Sequence, residues 1–405
     1  MWNNKILNDS CHTTSGGTPS RKNKSFYGGT IPWIKSGELN NSTIYVSEEL
    51  ITEEAVQKSS AKIFTKGTLL IALYGATVGK LAFLGIDAAP NQAICGLFPS
   101  EKLDRKFLFW YLFFKRPQLI KQSIGGAQPN ISQGSLRNLQ LSIPPLSEQH
   151  TIVERIEELF SELDSGVENL RKTQLQLKAY RQSVLRWAFD QPSPIVMLEQ
   201  ISEAVGGYAF RSKNFDNYGQ YQVIRIGNIR PGIIRTNESL VFVSDVEDKV
   251  LAKYLLQKGD VLISLTGTRK KRDYGYTTIV NEENFLLNQR VAYIRFDDRC
   301  LPKFFLYFSW TDFFKSQFCG SETGNVGQGN VDMKSIRQTS IPLPPIVEQH
   351  QIVQEIERRL SVADQLEQSI NHSLQQSEAV RQSILKMAFN GRLTEKWREE
   401  NEEKV

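Results

Sequence analysis

Apolar residues set the first pattern in this chain. From Ile152 they recur at alternating spacings of four and three, through Ile156, Leu159, Leu163, Gly166, Leu170, Thr173, Leu177, Tyr180, Val184 and Trp187. That spacing is the heptad seam of a coiled coil. A weaker seam runs through Ile352, Ile356, Arg359, Ala363, Leu366, Ile370, Ser373, Ser377, Val380, Ile384 and Met387, with Leu360 and Leu374 beside its polar positions. The motif Pro144-Pro145-Leu146-Ser147-Glu148-Gln149-His150 introduces the first and Pro344-Pro345-Ile346-Val347-Glu348-Gln349-His350 the second, at an offset of 200 (344 against 144). The offset still holds where Arg181-Gln182-Ser183 and Ala188-Phe189 return as Arg381-Gln382-Ser383 and Ala388-Phe389. A repeat this long governs how every local motif is read.

The proline pairs hold the chain extended before each helix. Ser147 is placed to cap the first, and Val347 in its stead predicts a second helix that frays more easily. Pro192 and Pro194, or Gly391, stop the two helices. Helices of ~40 residues at 1.5 Å per residue are each ~60 Å long. Each seam needs a partner, either the other helix or its own neighbouring domain.

Between the helices lie two blocks with one order of elements. In the first, β-type runs are expected near residues 42–46, 69–74, 81–84 and 93–97, then an aromatic helix over about 105–124. Gly16-Gly17 and Ile34-Lys35-Ser36-Gly37 return as Gly206-Gly207 and Ile224-Arg225-Ile226-Gly227, at an offset of 190. Gly67 and Gly75 return as Gly259 and Gly267, Asn91-Gln92 as Asn288-Gln289, and Gln128, Asn130 and Ile131 as Gln328, Asn330 and Val331. Drift in the offset places the length changes in loops. The chain therefore reads as α+β, with two similar mixed α/β globular domains (1–143 and 191–343), two long helices (144–190 and 344–392) and a polar tail (393–405). Side chains differ strongly between the matched points, which fits either two different readers or drift after duplication.

Composition narrows the class. Lys and Arg number 49 against 44 Asp and Glu, a net charge of +5 that is compatible with nucleic acid. No apolar run is long enough for a membrane span or a signal peptide, so a cytoplasmic location is expected. Cys11, Cys95, Cys300 and Cys319 have neither CxxC nor framework spacing, and are expected to be reduced and mostly buried, with no metal site.

Catalytic motifs are missing. Gly75-Ala76-Thr77-Val78-Gly79-Lys80-Leu81 is one residue short of a P-loop and ends without a hydroxyl. Ile143 and Leu343 stand before the prolines where an amino-methyltransferase would carry Asn or Asp. His150 and His350 are repeat equivalents at helix starts, better suited to packing or docking than to a triad. What remains is surface suited to DNA. Arg269, Lys270, Lys271 and Arg272 with Tyr274 and Tyr276 follow a strand, and Arg21, Lys22 and Lys24 with Tyr27 sit in a Gly-rich loop. Such loops neutralise phosphates and let backbone approach, although a solvated loop has the same composition. Lys35, Tyr74, Lys80, Gln128, Asn130, Arg225, Gln328 and Asn330 complete the DNA-binding candidates.

The duplicated IPPLSEQHTIV and IPLPPIVEQHQIV, the RQSVL and RQSIL helix endings, and SGGTPSRKN with YGGTIPWIKSGEL resemble the specificity subunits of type I restriction-modification enzymes, over essentially the whole chain. That resemblance implies two target recognition domains, each reading half of a bipartite site on double-stranded DNA. It implies an antiparallel helix pair that sets the gap between them. It also implies docking of two modification subunits, which carry S-adenosylmethionine, and of restriction subunits. On this reading the chain itself is no enzyme and binds no cofactor. Pairing or docking then falls to Glu148, Gln149, Ile152, Ile156, Leu163, Leu170, Leu177 and Val184, and to Glu348, Gln349, Ile352, Ile356, Leu366, Ile370, Val380 and Ile384. One departure is Pro342 where the first copy has Ser142. The alternative is a helical scaffold that binds protein and has no DNA role.

Overall fold

The structure, a computed structural model, describes residues 2–121, 130–320 and 327–401. Backbone contacts divide the chain into two units, Met1–Leu170 with His372–Val405, and Arg171–Asn371. The division falls inside the long helices, so each unit holds one globular block and a part of each helix.

In the first unit, the described residues form a five-stranded sheet in the order Cys11–Ser15, Ile94–Pro99, Leu69–Ala72, Leu81–Leu84 and Thr43–Ile44. A smaller sheet places Tyr27–Ile34 between Glu49–Ile51 and Ala89–Pro90. The central strands are apolar on both faces, because the aromatic helix Arg105–Lys121 covers one side and the smaller sheet's region the other. Phe389 seals the helical side, its ring 5.5 Å from Phe107, 5.1 Å from Tyr111 and 5.5 Å from Phe114. Asn3–Ile6 pairs antiparallel with Gln140–Ile143, which leads directly into the first long helix.

The second unit repeats this plan. Ser202–Gly206, Val291–Phe296, Val261–Ser264 and Thr277–Ile279 form one sheet; Tyr221–Ile224 lies between Phe242–Val243 and Phe285–Leu287 in another. Ile195–Met197 pairs with Ser340–Pro342, so proline in place of Ser142 leaves the strand pairing intact. Phe189 fills the role of Phe389, 5.1 Å from Phe304 and 5.5 Å from Phe308. The repeated Ala-Phe helix ending is thus an aromatic plug in each unit. Gly16 donates to the Ile94 carbonyl as Gly207 does to that of Val291, which makes Gly16 the equivalent of Gly207 and shifts the pairing read from sequence by one. A Cβ on Gly207 would stand 2.0 Å from the Asn288 carbonyl oxygen, so only glycine lets these strands approach.

The long helices run from Leu146 to Phe189 and from Ile346 to Phe389, each 44 residues, ~66 Å. Both begin one residue before the expected cap, so Ser147 and Val347 lie in the first turn. Neither residue caps its helix, and the predicted difference in fraying loses its basis. Within each unit the two helices pack with opposite direction. Gln174 meets Asn371, Arg181 meets Glu367 and Asp364, and Trp187 meets Arg359 in one unit; in the other, Phe160 and Asp164 meet Arg381.

The seam itself needs a correction. One set of expected positions is right: Ile156, Leu163, Leu170, Leu177, Val184, Ile356, Ala363, Ile370 and Ile384 are buried or half-buried, as are Ile152 and Ile352. The alternate set lies one residue further on, at Phe160, Val167, Gln174, Arg181 and Ala188, and at Leu360, Glu367, Leu374, Arg381 and Ala388. Leu366, 49% exposed, and Val380, 44% exposed, are outside the seam. So are Tyr180, Trp187 and Met387. The apolar residues of the pattern face outward at these steps, and arginines take the inner positions. Arg181 holds Asp364 at 2.6 Å and Glu367 at 2.7 Å, while Arg381 holds Asp164 and covers the Phe160 ring at 4.9 Å. Polar groups at seam positions specify register and direction at a cost in stability.

Candidate nucleic-acid interface

The candidate residues sit on loops that leave the central strands. In the second unit the strand Val261–Ser264 and the strand Thr277–Ile279 are joined by residues 265–276, where the first unit uses only 73–80. The longer hairpin carries the basic cluster. Thr266–Thr268 within it pairs antiparallel with Gln328–Asn330, placing Asn330 opposite Thr266 and Gln328 opposite Thr268. The Arg269 amide donates to the Gly327 carbonyl, and Asp273 accepts from the Thr268 amide at 2.6 Å. Lys270, Lys271 and Arg272 are exposed on this framework, with Arg272 at φ 48°. Basic side chains and the two amides of 328 and 330 therefore share one surface.

Tyr274 does not belong to that surface. It is 5% exposed and packs in the unit's core against Phe318, at 6.1 Å between rings, so its place in the hairpin is structural. Tyr276 is half-buried.

The first unit makes the same junction in reduced form. Tyr74 is bridged antiparallel to Asn130, as Thr266 is to Asn330, and the Ile131 amide donates to the Leu73 carbonyl. Tyr74 is half-buried against the core and Lys80 half-buried at the hairpin's far side. Gln128 lies outside the described residues.

Arg21, Lys35 and Arg225 have protein partners. Arg21 bonds Glu49 at 2.7 Å and lies over the rings of Tyr27 and Trp33, at 4.5 and 4.9 Å. Lys35 reaches Glu48 at 2.6 Å and Glu49 at 3.2 Å. Hydrogen bonding from Arg21, then Lys35, holds the Glu49 carboxyl below the usual carboxylate range. Lys22 and Lys24 are exposed on the same loop. Arg225, the repeat equivalent of Lys35, donates from one terminal nitrogen to the Ser239 carbonyl at 2.9 Å and borders a cavity of about 430 Å³. Asn288, Gln289 and Arg290 line the same cavity; the repeated Asn-Gln pair is the sequence signal for them.

The motif residues at the helix starts turn inward. Gln149 is fully buried: its Nε2 donates to the carbonyls of Lys102 and Pro144, both at 2.9 Å, and its Oε1 accepts from the Asp104 amide at 2.7 Å. Gln349 does the same with Arg299, Pro344 and Leu301, at 2.8, 2.8 and 2.9 Å. Glu148, also fully buried, accepts from Trp2 at 3.0 Å, Thr394 at 2.7 Å and Arg398 at 2.5 Å, whereas Glu348 is exposed. Gln149, Gln349 and Glu148 thus brace the unit they belong to, and of the four only Glu348 is open to a partner. Cys11, Cys95 and Cys300 are buried and Cys319 half-buried, all as free thiols. Among the described residues no cluster of three or more His, Cys, Asp or Glu could hold a metal, and no helix is long and apolar enough to cross a membrane.

Comparison with known proteins agrees with this geometry. The sequence model of the type I restriction modification DNA specificity domain matches residues 1–172 and again 193–376. The EcoKI specificity subunit of Escherichia coli K12, a type I restriction enzyme component, is 25% identical over 403 residues, covering 92% of this chain and 84% of its own length. Among solved structures, a chain from work on complex assembly and conformational transition of the type I R-M system superimposes with a TM-score of 0.78 at 20% identity, over 96% of this chain and 98% of that one. The HsdS subunit of Thermoanaerobacter tengcongensis gives 0.60 at 19% identity, over 96% and 97%.

Proposed function

Because this chain belongs to the type I restriction modification DNA specificity family, we propose that each of its two units reads one half of a split site on double-stranded DNA. The observation that carries the proposal is one scaffold built twice with different hairpins at the same junction, 73–80 in one unit and 265–276 in the other. The shared frame positions a loop against the duplex, and the loop's side chains choose the sequence.

On this reading Lys270, Lys271 and Arg272 neutralise phosphates around the second half-site. The paired long helices set the gap between half-sites and receive two modification subunits, which bind S-adenosylmethionine and methylate adenine. Restriction subunits complete the complex in the cytoplasm. The chain contributes recognition and no catalytic group. Docking falls to the outward apolar residues at matched steps of the two helices, Tyr180 and Trp187 in one and Val380 and Met387 in the other. Protein scaffolding without DNA is not favoured by any feature of the fold.

The test is to express this subunit with its modification partner and map methylated adenines across a genome. A bipartite motif is expected, and replacing residues 195–340 by the corresponding block of another specificity subunit should change one half of it alone. Simultaneous change in both halves, or methylation by the isolated chain, overturns the proposal.

A further inference from the structure

Of the buried polar atoms in the second unit that lack a hydrogen-bond partner among the described residues, two belong to residues that line one cavity. They are Nε of Arg225 and Oδ1 of Asn288. Asn288 is 8% exposed, and burying an unpaired acceptor so thoroughly is unfavourable unless something completes it. Arg225 is held in place by its terminal nitrogen on the Ser239 carbonyl and by its amide on Asn228, 3.0 Å away. Beside them Arg290 adopts φ 68°, a conformation that residues with side chains rarely take.

The first unit is the internal control. At the equivalent positions, Lys35 is engaged by Glu48 and Glu49, and Asn91 Oδ1 accepts from the Ala93 amide at 3.1 Å. The amide at the same spacing from Asn288 belongs to Arg290, and it makes no hydrogen bond to Asn288 Oδ1. The same scaffold positions are therefore satisfied by protein partners in one unit and left unsatisfied in the other.

An unsatisfied acceptor discriminates between the parts of DNA. Phosphates and deoxyribose ethers offer no hydrogen to donate, whereas the amino groups of bases do. A donor and an acceptor from residues lining one cavity have the polarity of adenine's major-groove edge, where N7 accepts and N6 donates. We propose that Arg225 and Asn288 form a base-reading pair in the second unit, Arg225 donating to N7 and Asn288 accepting from the N6 amino group of an adenine. This rests on the DNA-reading function proposed above and adds a base and two atoms to it.

The experiment uses the full subunit with its modification partner and duplexes carrying the mapped site. Wild-type complex first establishes the bipartite motif; if none appears, the general reading has failed before this pair is tested. Asn288→Ala is then expected to relax one position of the second half-site by about 5- to 150-fold, the loss of one good base contact. The other half-site and the salt dependence should stay unchanged. Substituting purine for that adenine, which removes only the amino group, should weaken the wild type and leave Asn288→Ala indifferent; 7-deazaadenine should weaken the wild type and leave Arg225→Met, which has no donor, indifferent. The free subunit's melting temperature should hold or rise in Asn288→Ala, because an unsatisfied atom is removed. A lowered melting temperature with an unchanged motif would assign the pair to the fold. Equal weakening on all duplexes, with a shallower salt slope, would assign it to phosphates. Either result overturns the proposal.

Discussion

Single side chains explain why two stretches of the repeat never vary in register. Gln149 and Gln349 each tie a helix start to the loop before an aromatic helix with two hydrogen bonds, and a third goes to the proline carbonyl that precedes the helix. Gln149→Ala should cost about 2–3 kcal/mol by stranding the Asp104 amide and two carbonyls, measurable as a lower melting temperature, and Gln349→Ala should match it. The thiols give a second expectation. Burial pushes Cys11 and Cys300 up to about 12 and Cys95 up to about 11, so a neutral alkylating agent at pH 8 should modify half-buried Cys319 first. Equal labelling of all four in the native protein would contradict the packing. At this scale the sequence is least legible. Glu148 finds partners 146, 246 and 250 positions away, and no local spacing points to them. Tyr274 reads as a surface residue because its neighbours are basic, while its burial comes from Phe318 on a distant helix.

The elements are far more legible, since a repeat held at one offset fixes both long helices and the order of strands around them. Their packing face is half legible. A count of apolar residues prefers Tyr180 over Arg181 and Trp187 over Ala188, and only the carboxylates of the other helix make an arginine the better inner residue. The correction is directly testable. Leu360→Asp puts a charge into a dry seam and should cost about 3 kcal/mol or more, whereas Leu366→Asp, three positions from Ala363, should stay within about 0.5 kcal/mol. Thermal unfolding of the two variants decides it, and the reverse order would restore the seam read from sequence. The basic hairpin belongs to this scale too. Changing Lys270, Lys271 and Arg272 to Ala should flatten the salt dependence of DNA binding by about 0.9 for each phosphate that is no longer neutralised, and unchanged binding would leave that loop to solvent.

For the molecule as a whole, helix length becomes a variable of recognition. Four residues added near 171–173, where side chains are exposed, lengthen the first helix by ~6 Å, or about one or two base pairs. Methylation mapping should return the same half-sites with a wider gap; an unaltered gap would remove the helices as its determinant. The Glu148 junction has a different consequence, in time instead of space. Residues 171–371 are contiguous, so one unit is fully synthesised while the other still lacks 372–401. The half made first on the ribosome is thus the last able to close, since Phe389, Thr394 and Arg398 must emerge before its core and its Glu148 carboxylate are covered. A stalled or clipped chain keeps a finished second unit attached to an open first one, with Phe107 and Phe114 lacking their Phe389 cover, which marks the fragment for chaperones and proteases.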